Sequence, residues 1–272
     1  MIISTRQELI DWLFKFGSEW AFRGQTSDWE LEPNINRILP SGFPNARAVD
    51  QESRLLSYFR SSAMHYAERE QIPNTDFAWT SLLQHYGGPT RLLDLTQFPM
   101  VGLFFAFDGA TIDDNKSVIY AFNYREINKR SLEIKKDSTP NFEWNIDKFK
   151  KHPDEAFAEL ILKDTSDTVW IAEPNYRNLR ILRQGGSFII KGNISRKTQD
   201  ILNEKYNPEW VEKIEIPHTM LTEVTDILGK CGLGYQGIYP GLEGLAKDVK
   251  SQLMQSARKA AASAASKISA SN

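Results

Sequence analysis

The segment from Phe77 to Phe107 constrains the fold more than any other part of the chain, because its pattern changes twice over a short stretch. Apolar residues at helical spacing predict a helix from Phe77 to Tyr86. Gly87-Gly88-Pro89 predicts its end, since glycine adopts the left-handed cap and proline cannot continue a helix. Thr90 to Thr96 then predicts a buried strand, and the apolar stretch Met100 to Phe107 belongs in the core as either helix or strand.

Other segments predict a chain that combines helices with strands. Thr5 and Glu8 have the spacing of a capping box, which begins a helix predicted over Arg6–Phe16. Apolar residues along one face predict a longer helix over Asp50–Gln71. Runs of β-branched and aromatic residues predict strands at Trp20–Gly24, Ser117–Phe122, Val169–Ala172, Ser187–Ile190 and Val211–Ile216. The predicted fold class is therefore α+β.

The length of the chain and the lack of an internal linker in its sequence predict one main domain. The chain has 272 residues, and no stretch rich in Pro, Gly or Ser divides its core. The charged region Arg125 to Glu155 predicts a surface excursion. We assign residues 1–250 to a single domain and residues 251–272 to an Ala- and Ser-rich tail that is either helical or flexible.

Composition excludes several classes of protein. The 33 Lys and Arg nearly balance the 35 Asp and Glu, so any contact with nucleic acid must come from a local patch. Cys231 is the only cysteine, which predicts a reducing, cytoplasmic location. The most apolar stretch, Met100 to Phe107, is too short to span a bilayer, so no membrane partner is expected.

Common catalytic signatures are also missing from the sequence. There is no P-loop, no GxGxxG after a strand, no HExxH and no cysteine pair. The four histidines lie far apart, so their spacing predicts no metal site. Cys231 has no identifiable histidine partner and is interpreted as an incidental thiol rather than a nucleophile.

Three segments place polar groups beside glycine in apolar surroundings. In Phe22-Arg23-Gly24-Gln25, Arg23 either recognises phosphate or carboxylate at a strand end or pairs with a core carboxylate. In the block from Gln84 to Asp94, either a polar site forms or a helix cap leads into a strand whose Arg91 and Asp94 pair with each other. The third segment, Arg183-Gln184-Gly185-Gly186-Ser187-Phe188, is also explained by a turn alone.

In this order, the three segments resemble the FRG domain family, whose name matches Phe22-Arg23-Gly24. The resemblance is strongest from Leu83 to Thr96 and includes Leu31-Glu32-Pro33 with Arg37. It extends to Ile238-Tyr239-Pro240-Gly241-Leu242-Glu243-Gly244-Leu245.

FRG domains occur in bacterial and phage proteins, several of them linked to toxin or phage-defence systems, and they resemble the ADP-ribosyltransferase fold. That resemblance implies a mixed, split sheet with flanking helices and NAD as co-substrate in a cleft. ADP-ribose would pass to a protein, a nucleic acid or water. By residue, it implies catalytic roles for Arg23, His85 and Gln184. It implies contacts with NAD from Arg23, Tyr86, Thr90, Arg91 and Asp94.

The chain departs from the ADP-ribosyltransferase pattern at the late position. Many of those enzymes use a glutamate there to stabilise an oxocarbenium-like transition state, whereas this chain has the neutral Gln184. Asp94 and Glu159 are the next acids to consider. Two other functions therefore stay open: a non-catalytic module that senses a nucleotide or nucleic acid, and a metal-dependent nuclease using Asp94, Glu159 and His85.

Overall fold

The computed structural model describes residues 1–66, 72–176 and 178–269 and has an α+β fold. Its strands are β1 Trp20–Gln25, β2 Leu92–Thr96, β3 Lys116–Asn123, β4 Val169–Ala172, β5 Gly186–Lys191 and β6 Val211–Pro217. The helices before β3 are α1 Arg6–Phe14, α2 Asn34–Ile38, α3 Asn45–Ala63, α4 Asp76–His85 and α5 Pro99–Phe107. Those after β3 are α6 Tyr124–Ser138, α7 Ile146–Lys151, α8 Pro153–Ala156, α9 Leu179–Gln184, α10 Thr198–Lys205, α11 Leu221–Lys230, α12 Tyr235–Ile238 and α13 Leu242–Ser269.

The strands form one sheet in the order β4-β5-β2-β1-β3-β6, and every neighbouring pair is antiparallel. The expectation of a mixed sheet is therefore wrong. Strand direction depends on where each connecting helix returns the chain, and this is not encoded in the alternation of residues along a strand. β1 and β2 pair only at Phe22 and Thr96, so the two halves of the sheet are joined at a single position.

Helix α5 packs against one face of the sheet at unusually close range. A Cβ atom on Gly24 would lie 1.9 Å from the carbonyl oxygen of Gly102 in α5, so only glycine permits this contact. Phe22 lies on the same face, in a buried cluster with Leu103 and Ile119. Because side chains alternate along a strand, Arg23 projects from the opposite face. The stretch Met100 to Phe107 is thus confirmed as core, in helical form.

The main sequence-predicted elements are confirmed, with shifted ends. The capping box of Thr5 and Glu8 is present, but α1 ends at Phe14 instead of Phe16. The helix predicted over Asp50–Gln71 begins earlier, at Asn45, and ends at Ala63; residues 67–71 lie outside the described residues. All six predicted strands form, each within two residues of its predicted bounds.

The region from Arg125 to Glu155 is not a surface excursion, as the sequence predicted, but part of the fold. Its helices α6, α7 and α8 bury one face each, including Ile127 and Phe149. Charged residues occupy the outer faces, and their number conceals the amphipathic pattern.

Helix α6 also covers the exposed edge of strand β4. The Asn128 amide exchanges two hydrogen bonds with the backbone of Ile171, at 2.7 and 2.8 Å. The Ser131 hydroxyl donates to the carbonyl of Val169 at 2.5 Å, and the amide of Val169 donates to the hydroxyl of Tyr206 at 2.7 Å. At the other edge, Ile3 and Met1 bond to the backbone of Glu215 in β6.

Helix α13 runs through residue 250 without a break, so the proposed boundary between residues 1–250 and 251–272 falls inside a helix. Within the described ranges, no helix is both long and apolar enough to cross a membrane.

Candidate functional site

A cavity of about 330 Å³ lies where β1 and β2 diverge from their single pairing position. Its walls come from β1, β2, β5 and helices α2, α4 and α9. Six charged or titratable residues line it: Arg23, Glu32, Arg37, His85, Asp94 and Arg180. Pockets that bind small molecules typically measure about 300–1000 Å³, so this cavity is large enough for part of a nucleotide.

Arg23 crosses the gap between the two strands. Its Nη1 donates to the carbonyl oxygen of Asp94 at 2.7 Å, and its Nε donates to Oε1 of Gln25 at 2.9 Å. Burial lowers the pKa of the guanidinium, Asp94 opposes this, and Arg37 adds to it. Arg23 is thus partly a brace between strands, and no core carboxylate pairs with it in the described ranges.

His85 ends helix α4 at the cavity wall. Desolvation lowers its pKa from the ordinary value, the positive charge of Arg180 lowers it further, and Glu243 and Asp94 act in the opposite direction. These surroundings favour the neutral imidazole, which can accept or donate a hydrogen bond. Its ring meets the ring of Tyr86 edge-on, with the centroids 4.9 Å apart.

We expect NMR titration of the His85 ring to give a pKa below 6.5. Arg180→Gln should raise it by removing a nearby positive charge, and Glu243→Gln should lower it further. The lowered pKa means that the folded state binds a proton on His85 less readily than the unfolded chain does. Acidification below the ordinary histidine pKa of 6.5 should therefore favour unfolding. A His85 pKa that is the same in both variants as in the unaltered chain would contradict the assigned effects of the Arg180 and Glu243 charges.

Two carboxylates line the cavity, and that of Asp94 forms no ion pair with any described residue. It lies on β2, is exposed, and receives only a long contact of 3.4 Å from the Gln84 amide. The other acid, Glu32, is occupied: its Oε2 lies 2.7 Å from Nζ of buried Lys191 and its Oε1 accepts from the amide of Thr198. A positively charged group in the cavity would therefore meet the carboxylate of Asp94 first.

Gln184 lines the cavity from the end of α9. The chain turns at Gly185, whose φ of 55° is left-handed, and enters β5. The Gln184 side-chain amide donates to the backbone carbonyl of Ile238 at 3.3 Å, and the backbone carbonyl of Gln184 accepts from the Thr96 hydroxyl at 2.5 Å. The amide is thus partly committed to the C-terminal region of the chain.

Ser187, at the start of β5, presents a polar atom without a partner. Its side chain is 3% exposed, and its hydroxyl has no hydrogen-bond partner within the described part of the chain. Ser187 borders this cavity and a second one, and it pairs with Leu95 in the ladder, so its side chain lies on the face of the sheet opposite to that of Asp94.

Three of the residues assigned to NAD from the sequence lie outside the cavity. Tyr86 is 70% exposed and only borders it through His85. Thr90 is buried, donating to the Gln84 side chain and accepting from the amide of Leu92. Arg91 is completely buried and bonds to Glu52. Arg91 is therefore not available to a ligand.

The alternative that Arg91 pairs with Asp94 is also wrong. Arg91 precedes β2 and projects toward α3, where Glu52 lies, whereas Asp94 faces the cavity. Glu159 is likewise separate, since it accepts a hydrogen bond from the Trp144 indole at 2.9 Å and does not line the cavity.

Arg180 is the charged cavity residue that the sequence analysis did not identify. Arg37 was named there as part of the family resemblance, but without a role. Arg180 and Gln184 are four residues apart and therefore share one face of a helix. The Asn178 N-cap that begins α9 was the available signal, because it would have placed Arg180 on the same face as Gln184.

Residues 18–115 match the family model of the FRG domain. The chain contains an FRG domain. No curated protein and no solved structure matches the chain. The matched FRG region includes Arg23, Arg37, His85 and Asp94, while Arg180 and Gln184 come from the chain beyond it. The cavity thus combines residues of the FRG domain with residues that follow it.

Proposed function

We propose that this protein binds NAD in the cavity, cleaves the bond between nicotinamide and ribose, and transfers ADP-ribose to a protein, a nucleic acid or water. The observation that carries the proposal is that Arg23, Arg37 and Arg180 line one cavity together with Asp94, whose carboxylate forms no ion pair among the described residues. Such a cavity suits a ligand that carries phosphates and develops a positive charge during its reaction.

In the proposed reaction, nicotinamide leaves with the electron pair of the glycosidic bond, and the positive charge moves to the ribose. The Asp94 carboxylate stabilises that charge, which the neutral Gln184 cannot do. An acceptor nucleophile or water then forms the new bond to the ribose carbon and loses a proton. His85, as the neutral imidazole, is placed to accept it.

The junction between β1 and β2 supports an ADP-ribosyltransferase-like arrangement. That fold holds NAD where its sheet splits, and here the cavity lies beside a single pairing position. His85 and Gln184 occupy helix ends instead of strands, so the arrangement is not identical to the expected one. Roles in bacterial toxin or phage-defence systems remain part of the proposal through the family resemblance alone.

The test is to incubate the purified chain with NAD and to separate the products by chromatography. We expect nicotinamide and ADP-ribose to appear together when water is the acceptor. Added cell lysate should redirect ADP-ribose to a macromolecule. NAD that remains intact under both conditions contradicts the proposal.

Binding without turnover is the second candidate function. One reason is that the Gln184 side-chain amide already donates a hydrogen bond to Ile238. Another is that Asp94 is exposed to solvent, because water weakens the electrostatic effect of its carboxylate on a bound ligand. Calorimetry that shows saturable binding of NAD, combined with no release of nicotinamide, would identify the protein as a nucleotide sensor.

A further inference from the structure

Arg37 and Arg180 differ from the other arginines that the structure places near the sheet. Arg91 is bonded to Glu52, and two of the donor groups of Arg23 are taken by Gln25 and the Asp94 carbonyl. Across the described residues, no carboxylate oxygen lies within 4.0 Å of the guanidinium of Arg37 or Arg180. Both line the cavity, and no hydrogen bond between described residues uses the guanidinium donors of either one.

The two arginines approach the cavity from different elements. Arg37 is in the last turn of α2 and is close enough to Arg23 to lower its pKa. Arg180 is on α9 and acts in the same way on His85. Asp94, which lines the same cavity, raises the pKa of both Arg23 and His85 through its negative charge.

An aromatic ring lies beside the guanidinium of Arg180. Its guanidinium carbon is 5.1 Å from the centre of the Tyr239 ring, a cation–π contact that does not use the N–H donors. A planar guanidinium with free donors forms paired bonds to phosphate oxygens.

We propose that Arg37 and Arg180 are the specificity-determining residues of the cavity and that together they bind a diphosphate, one phosphate at each arginine. This inference rests on the proposed function, because the diphosphate would be that of NAD or ADP-ribose. Arg23, first assigned to the phosphates from the sequence, then acts mainly as the brace between β1 and β2.

The experiment measures binding of inorganic pyrophosphate and of inorganic phosphate by calorimetry. Pyrophosphate should bind more tightly than phosphate, and its affinity should fall as salt is raised. Arg37→Gln and Arg180→Gln should each weaken pyrophosphate binding by roughly tenfold to a hundredfold, as expected for lost charge-assisted hydrogen bonds. Arg183→Gln is the matched control, because Arg183 is exposed on the same helix and does not line the cavity. Its binding should match that of the unaltered chain.

Equal affinity for the two anions, or unchanged pyrophosphate binding in both variants, would overturn the inference. The KM for NAD separates it from the proposed function. If NAD is cleaved with the same KM in both variants, the diphosphate assignment fails while the activity stands. If pyrophosphate binding follows the prediction but NAD is never cleaved, the assignment stands and the activity fails. Arg37→Lys and Arg180→Lys, which keep the charge, should recover only part of the affinity.

Discussion

Arg91→Ala is expected to lower the free energy of unfolding by about 3–5 kcal/mol, which is the usual cost of breaking a buried ion pair by removing one partner. The side chains of Arg91 and Glu52 are 0% and 2% exposed, and their charged atoms lie 2.5 Å apart. Arg91 also donates to the carbonyls of Ile161 and Leu162, at 3.0 Å each. Its loss would leave the buried charge of Glu52 without its cation and would remove one hydrogen bond from each of the two carbonyls.

Urea denaturation provides the measurement, and Arg54→Ala provides the control. Arg54 pairs with Asp50 on the same helix as Glu52, but both side chains are more than half exposed. Exposed pairs contribute only about 0.2–1 kcal/mol, so this variant should unfold almost like the unaltered chain. Equal losses in the two variants would show that the buried pair is not a special source of stability.

Asp94→Asn should reduce kcat for nicotinamide release by about 100- to 1000-fold, the range seen when one electrostatic contact to a transition state is removed. The substitution keeps the shape of the side chain but removes the negative charge that faces the developing cation. Because the diphosphate contacts are unaffected, the KM for NAD should change far less.

Asp114→Asn is the control for this prediction, since Asp114 is an exposed acid outside the cavity. Circular dichroism should show the same melting behaviour for both variants. A fully active Asp94→Asn variant would rule out the carboxylate as the stabilising group. Activity in neither the variant nor the unaltered chain would instead favour the sensor function.

Local signals predicted most of the secondary structure. Thr5 with Glu8 marked the first helix, and Gly87-Gly88-Pro89 marked the end of α4. Strands β1 and β4 were predicted because each carries a short apolar run between turn residues. These signals act over a few residues, so a single sequence is enough to detect them.

Long-range pairing could not be predicted in the same way. The partner of Arg91 is Glu52, 39 positions away, whereas the sequence suggested only the nearer acid Asp94 as its partner. The direction of the strands and the place of Arg180 in the cavity depend on how helices return the chain. In α6, charged residues on the outer face hid the apolar face that packs on the sheet.

The two covered edges of the sheet restrict how another protein can bind to this one. At β4, the side chains of Asn128, Ser131 and Tyr206 already occupy the backbone groups of Val169 and Ile171. At β6, the N-terminal residues bond to Glu215. An additional strand from another molecule would have to displace these groups, which protects the fold against edge-to-edge aggregation. Under the proposed function, an acceptor protein would therefore have to contact side chains at the cavity mouth and could not simply extend the sheet.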